Sequence, residues 1–97
     1  MEIDRKDKDG WTALHWASWS GLDRLSDMLI ERKADINNRE GNGFTPLMLA
    51  AMRGNFQVAA LLLEKGADMT AVNKFGKNAL QLAEEGALAY QSSFDLA

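Results

Sequence analysis

The chain has 97 residues, 46% of them hydrophobic and 26% charged, with a formal net charge of −3. That composition suits one soluble globular domain, and the acidic balance argues against nonspecific attraction to nucleic acid or an anionic membrane. The absence of cysteine excludes a disulfide framework, and even an unbroken apolar run such as Val58 to Leu63 is far too short to cross a bilayer. The N-terminal Met-Glu-Ile-Asp-Arg-Lys has no apolar core of a signal peptide, so cytoplasm or nucleus is the expected address.

Met1 to Lys6 reads as the tail of a hairpin, with Ile3 in its apolar position. The next residues open a unit that recurs. Gly10-Trp11-Thr12-Ala13-Leu14-His15-Trp16-Ala17-Ser18 returns 33 residues later as Gly43-Phe44-Thr45-Pro46-Leu47-Met48-Leu49-Ala50-Ala51, and again as Gly76-Lys77-Asn78-Ala79-Leu80-Gln81-Leu82-Ala83-Glu84. A second block keeps the same step, Ala34-Asp35-Ile36 returning as Ala67-Asp68-Met69. Such a period means stacked units, here residues 7–39, 40–72 and 73–97, with 1–6 as the hairpin tail.

The middle copy shows what each unit does. Asn42-Gly43 is a tight-turn pair, because both residues tolerate positive φ. Thr45 reads as a helix N-cap and Pro46 as the first helical residue, where a missing N–H costs nothing. Leu47, Leu49, Ala50 and Ala51 make a short inner helix that Gly54 ends. Phe56, Val58, Ala59, Leu62 and Leu63 then space an apolar face along an outer helix, which Gly66 closes in left-handed geometry. Neither helix can bury its apolar face alone, so the units must stack.

The pattern Gly-x-Thr-Pro-Leu-x-Leu-Ala-Ala, then Gly-Asn, then Leu-Leu-Leu-Glu-Lys-Gly-Ala-Asp, resembles the ankyrin repeat. The resemblance is most specific over residues 7–72 and weakens after Ala83. It implies an all-α ankyrin repeat solenoid, with stacked helix-turn-helix units joined by β-hairpin-like loops, about two and two-thirds repeats long, forming one domain.

The first unit departs from the pattern in three places. Lys33 stands where the middle copy has Gly66, so a residue with a Cβ must adopt left-handed geometry at roughly 1 kcal/mol. Asp23 and Ser26 replace Phe56 and Ala59, polar residues suited to a solenoid end that meets water. Trp16, in the column of Leu49 and Leu82, is expected to pack in the core. In the third unit Asn78 replaces threonine as the N-cap. Gly86 then comes one residue early, and the following outer helix is thin. A terminal cap is expected, with Tyr90 and Phe94 covering the second unit's outer helix and the last few residues frayed.

Catalytic signals are lacking. The only histidine, His15, has neither a cysteine nor an aligned carboxylate to work with; the resemblance implies that its imidazole ties the hairpin to the helix start. Gly41-Asn42-Gly43-Phe44-Thr45-Pro46 begins like a dinucleotide loop but has proline where the third glycine is required. Arg5 to Trp16 half-resembles a calcium loop, yet arginine fills the first ligand position and tryptophan the twelfth. The chain is therefore read as non-enzymatic, without metal or cofactor.

In a stack of this kind the columns free for function are the hairpin tips and the exposed side of the inner helices, which together line a concave groove. Reading across the units gives Trp11, Phe44 and Lys77; Trp19, Met52 and Glu85; Asp9, Asn42 and Phe75; Lys8, Gly41 and Lys74; Ser20, Arg53 and Gly86. Trp11, Trp19, Phe44, Met52 and Phe75 would thus expose large apolar side chains on one face, an area soluble monomers seldom leave unused. The expected binding set is Lys8, Asp9, Trp11, Trp19, Ser20, Asn42, Phe44, Met52, Arg53, Phe75 and Lys77, gripping a protein partner, with the chain monomeric on its own. The short array with tryptophans crowded on the free face also fits an engineered or redesigned binder. Two alternatives stand beside this: a structural or self-associating segment, and a substrate for hydroxylation at Asn37. The latter rests on Leu29 lying eight residues before Asn37, which resembles the hairpin asparagine site of ankyrin proteins.

Overall fold

The computed structural model describes the backbone of residues 2–95 and the side chains of residues 2–87. Among the described residues five helices follow in order: α1 (Ala13–Ser20), α2 (Asp23–Glu31), α3 (Pro46–Arg53), α4 (Phe56–Glu64) and α5 (Ala79–Asp95). Helices α1, α3 and α5 stack as an inner layer, and α2 and α4 pair as an outer layer. Two-residue turns join α1 to α2 and α3 to α4, so each pair runs antiparallel as a helical hairpin.

Local chemistry starts the inner helices where the sequence says. The Thr45 hydroxyl accepts the Met48 N–H at 3.3 Å, with Pro46 in the first turn. Asn78 Oδ1 accepts the Gln81 N–H, and Gln81 Oε1 accepts the Asn78 N–H, both at 2.9 Å, a reciprocal capping box. Leu14, Leu47, Ala50, Val58 and Leu62 are sealed in one core across the units, with Ile3 half-buried against it. Lys33 takes φ 74°, the one positive φ outside glycine among the described residues.

No strand forms among the described residues. Each hairpin-like tip is instead closed by a backbone pair, Asp7 N–H to Trp11 O (2.9 Å), Glu40 N–H to Phe44 O (2.9 Å) and Asn73 N–H to Lys77 O (3.0 Å), inside which the Gly10, Gly43 and Gly76 N–H groups donate to Asp7, Glu40 and Asn73 O. A polar ladder with the same period joins one unit to the next. Gly41 N–H donates to Asp9 O and Lys74 N–H to Asn42 O, both at 3.0 Å. Asp4 Oδ1 accepts from Asp35 N–H and Asn37 Oδ1 from Asp68 N–H, both at 2.9 Å. Lys6 Nζ donates to Arg39 O at 2.9 Å, and Arg39 Nη2 to Val72 O at 2.7 Å.

Four expectations need correction. Trp16 is not in the core: it is 50% exposed, whereas Leu49 and Leu82 in its column are at most 5% exposed. That column is buried only by the preceding unit, and Trp16 has none in front of it. Ser26, expected to meet water, is fully buried, its hydroxyl donating to Leu22 O at 2.8 Å. A small hydroxyl can enter a core once it has an i−4 carbonyl to satisfy it. The apolar face of α4 is really two faces, since Val58, Ala59 and Leu62 are buried while Phe56 is 66% and Leu63 38% exposed. Finally, α5 runs on through Gly86 as one 17-residue helix, with no turn and no separate outer helix. A Cβ at Gly86 would lie 2.7 Å from the Met52 carbonyl oxygen, so this glycine permits close helix packing rather than a turn. The expected positions of Tyr90 and Phe94, like the fraying of the last residues, lie outside the described side chains.

Candidate binding surface

The tips are shaped by a column that the sequence reading passed over. Asp7, Glu40 and Asn73 recur every 33 residues, and each side chain accepts the N–H groups two and four residues on. Glu40 is 8% exposed and does more, its second oxygen accepting the Trp11 indole N–H at 3.1 Å. One carboxylate therefore shapes its own tip and anchors the tryptophan of the tip before it. Accepting the Trp11 N–H, and also that of Asp9, holds the Asp7 carboxyl below the ordinary carboxylate range. An acceptor-bearing side chain at a fixed period, just before each Gly-containing turn, was the signal that could have found this column.

His15 sits below the tips, fully buried. Its Nδ1 accepts the Thr12 N–H at 3.0 Å, so Nδ1 carries no proton. Nε2–H then donates to Phe44 O at 3.0 Å in the next unit. Burial pushes the imidazole's pKa down from 6.5, against the pull of the Phe44 and Asn38 carbonyls and of Glu40. The neutral ring thus bolts the first tip to the second, and it carries no further group to activate.

Above this frame the expected columns come together. The Trp11 ring contacts Trp16 (centroids 4.5 Å apart) and meets Trp19 edge-on at 5.9 Å. Phe44 meets Phe75 edge-on at 6.3 Å. The Arg53 guanidinium lies 4.5 Å over the Trp19 ring, a cation–π contact between the inner helices of two units. Lys77 and Glu85 form an ion pair, repeating in polar form the tip-to-helix contact that Trp11 and Trp19 make two units earlier. Tips and inner helices therefore share one face. Asn55 supports it from behind, donating to Ser18 O and Trp19 O at 2.9 Å each and so fixing the end of α1.

Exposure differs from the expectation that all five apolar side chains stand out in water. Only Phe75 does, at 59%; Trp11, Trp19, Phe44 and Met52 are half-buried. They pack on one another and on the core because neighbouring tips lie close enough for rings to touch. Lys8, Asp9, Ser20, Asn42 and Arg53 are exposed, and Lys77 is half-buried in its ion pair. Asn37 is exposed, but its amide oxygen is held by the Asp68 N–H. Trp16, missed as a surface residue, extends the tryptophan cluster, with its indole N–H donating to Asp7 Oδ2 at 3.1 Å.

Among the described residues no group of three or more His, Cys, Asp or Glu side chains is placed to hold a metal ion, and no helix is long and apolar enough to cross a membrane. The family model for ankyrin repeats in many copies matches residues 29–83, and the model for a single ankyrin repeat matches residues 9–40. No curated protein matches the chain. Together the two matches run from residue 9 to Ala83, where the period fades, and span the helical hairpins and capped inner helices of both complete units. Repeats of this kind generally serve as protein–protein interaction modules and are typically non-catalytic. The chain belongs to the ankyrin repeat family.

Proposed function

We propose that this chain is a non-catalytic module that binds a protein partner across the face of its tips and inner helices. The observation that carries the reading is the Trp19–Arg53 stack at 4.5 Å, together with the exposed Phe75 ring. Tryptophan and arginine are the residue types that most often dominate interface energetics, and a ring already held by its neighbours loses little entropy on binding. The polar residues around them are mainly basic. Lys8, Arg53, Lys74 and Lys77 outnumber Asp9 and Glu85, on a chain whose net charge is −3. The face thus favours a partner surface that offers carboxylates around an apolar anchor. Crowding of tryptophan into the first unit is the feature that favours an engineered origin for such a binder.

The test compares two pairs of surface changes. Arg53→Glu with Phe75→Ser alters the proposed face, and Leu22→Ser with Met69→Ser alters equally exposed apolar residues elsewhere. Immobilised chains are incubated with soluble protein extract and the captured proteins are quantified by mass spectrometry. A partner retained by the parent and by the Leu22/Met69 variant, but lost with the Arg53/Phe75 variant, supports the reading. A partner retained equally by all three refutes the assigned surface.

A further inference from the structure

The downstream end of the stack, opposite in the chain to the tryptophan cluster, is apolar and open. Phe56 (66%), Leu80 (56%), Met69 (46%) and Val72 (45%) are exposed there, with Leu63 beside them. On α4 the residues Phe56, Ala60 and Leu63 lie at i, i+4 and i+7, on one stripe. In the equivalent stripe of α2, Asp23 and Asp27 lie beside Gln57 and Leu61 of α4 in the next unit, so the α4 stripe is the seat of an outer helix. The third unit supplies none, because α5 runs straight on where the first two units turn. Its continuation carries Leu88, Tyr90 and Phe94 in sequence.

We infer that the occupant of this end is a second copy of the chain, exchanging the C-terminal half of α5. Inner and outer helices of a unit are antiparallel neighbours. Two straight α5 helices set antiparallel about a two-fold axis near Ala87 give each copy an outer helix supplied by the other. A helical hairpin that opens into one continuous helix is what exchange of an identical element requires.

Two other occupants fit less well. A further repeat would be met by the polar ladder, but the two side-chain rungs of that ladder stop here, leaving only the backbone rung at Phe75. Val72 stands where Lys6 and Arg39 donate, and Thr70 stands where Asp4 and Asn37 accept, with its hydroxyl turned to Asp68 at 2.6 Å. The chain's own tail could fold back onto Phe56 and Leu63 only by breaking α5 at Gly86, where the helix is continuous. An exchanged helix fills the same seat with α5 unbroken. The dimer stands against the monomer expected from sequence. It leaves the tip face free, so it stands or falls independently of the proposed function.

Light scattering on the full 97-residue chain tests the proposal, with twice the chain mass expected at micromolar concentration. A concentration-independent monomer overturns it. Phe56→Asp with Leu63→Asp, both exposed and hence compatible with folding, should raise the dissociation constant at least a hundredfold while helical circular dichroism is kept. A dimer that survives this change overturns the assigned surface. Since the chain has no cysteine, the pair Ala60→Cys and Ser93→Cys separates exchange from fold-back. On oxidation a disulfide between chains supports exchange, and one within a single chain overturns it.

Discussion

Replacing His15 by alanine should be among the most damaging single changes in this chain, and the structure gives the size of the effect. Two hydrogen bonds are lost, one to the Thr12 N–H and one to the Phe44 carbonyl, at about 1 kcal/mol each. The partners left behind lose more, since Thr12 is only 1% exposed and a buried unsatisfied group costs about 1–3 kcal/mol. The sum is about 3–5 kcal/mol out of a total of about 5–15, and for a domain of this size it lowers Tm by roughly 12–40 °C. Urea unfolding followed by tryptophan fluorescence reads it as a lower midpoint with an unchanged slope. His15→Gln is the control. Gln81 shows that a glutamine in this column can accept the N–H of its cap residue, so only the Phe44 bond is lost, at about 1–2 kcal/mol. The pH profile follows from the same geometry. The folded imidazole's pKa lies below 6.5, so the unfolded chain takes up the proton first. Stability is whole above the unfolded pKa and falls as pH drops toward the folded one, with a slope of up to about 1.4 kcal/mol per pH unit. Between pH 7 and 5 the glutamine variant should lack this component. A loss below about 1 kcal/mol for His15→Ala, or identical pH profiles for the parent and His15→Gln, would refute the bolt.

Three further changes test other joints of the stack. Lys33→Gly relieves a side chain held at φ 74° and should raise stability by about 1 kcal/mol, seen as a higher urea midpoint; a lower midpoint contradicts the strain. Gly86→Ala gains up to about 1 kcal/mol of helix propensity but sets a Cβ 2.7 Å from the Met52 carbonyl oxygen. Backbone cannot yield as a side-chain tip can, so a net loss of about 1–3 kcal/mol is expected, and a stabilised variant would show that α5 sits farther from α3. Asn55→Ala removes both bonds to the end of α1, at a cost of about 1–3 kcal/mol. It should also loosen Trp19, visible as faster amide exchange at Trp19 and Ser20 (unchanged exchange there would refute the coupling).

Much of the molecule was legible in the residues themselves. The period of 33, the caps at Thr45 and Asn78, the turns at Asn42-Gly43 and the strained Lys33 all depend on backbone chemistry within a few positions, which sequence records directly. So does the grouping of Trp11, Trp19, Phe44 and Phe75 on one face, since a repeat carries each column to the next unit unchanged. What sequence did not decide is how deeply each column lies, because burial depends on which neighbour is present. Trp16 and Leu49 share a column, yet one meets water and the other does not, since only the second has a unit stacked before it. Ser26 was misread because its burial depends on a carbonyl four residues back, a partner that composition does not reveal. The continuity of α5 belongs to the tertiary structure as well. Gly86 is able to turn a chain, and it stays helical where α3 approaches so closely that a Cβ would not fit between them.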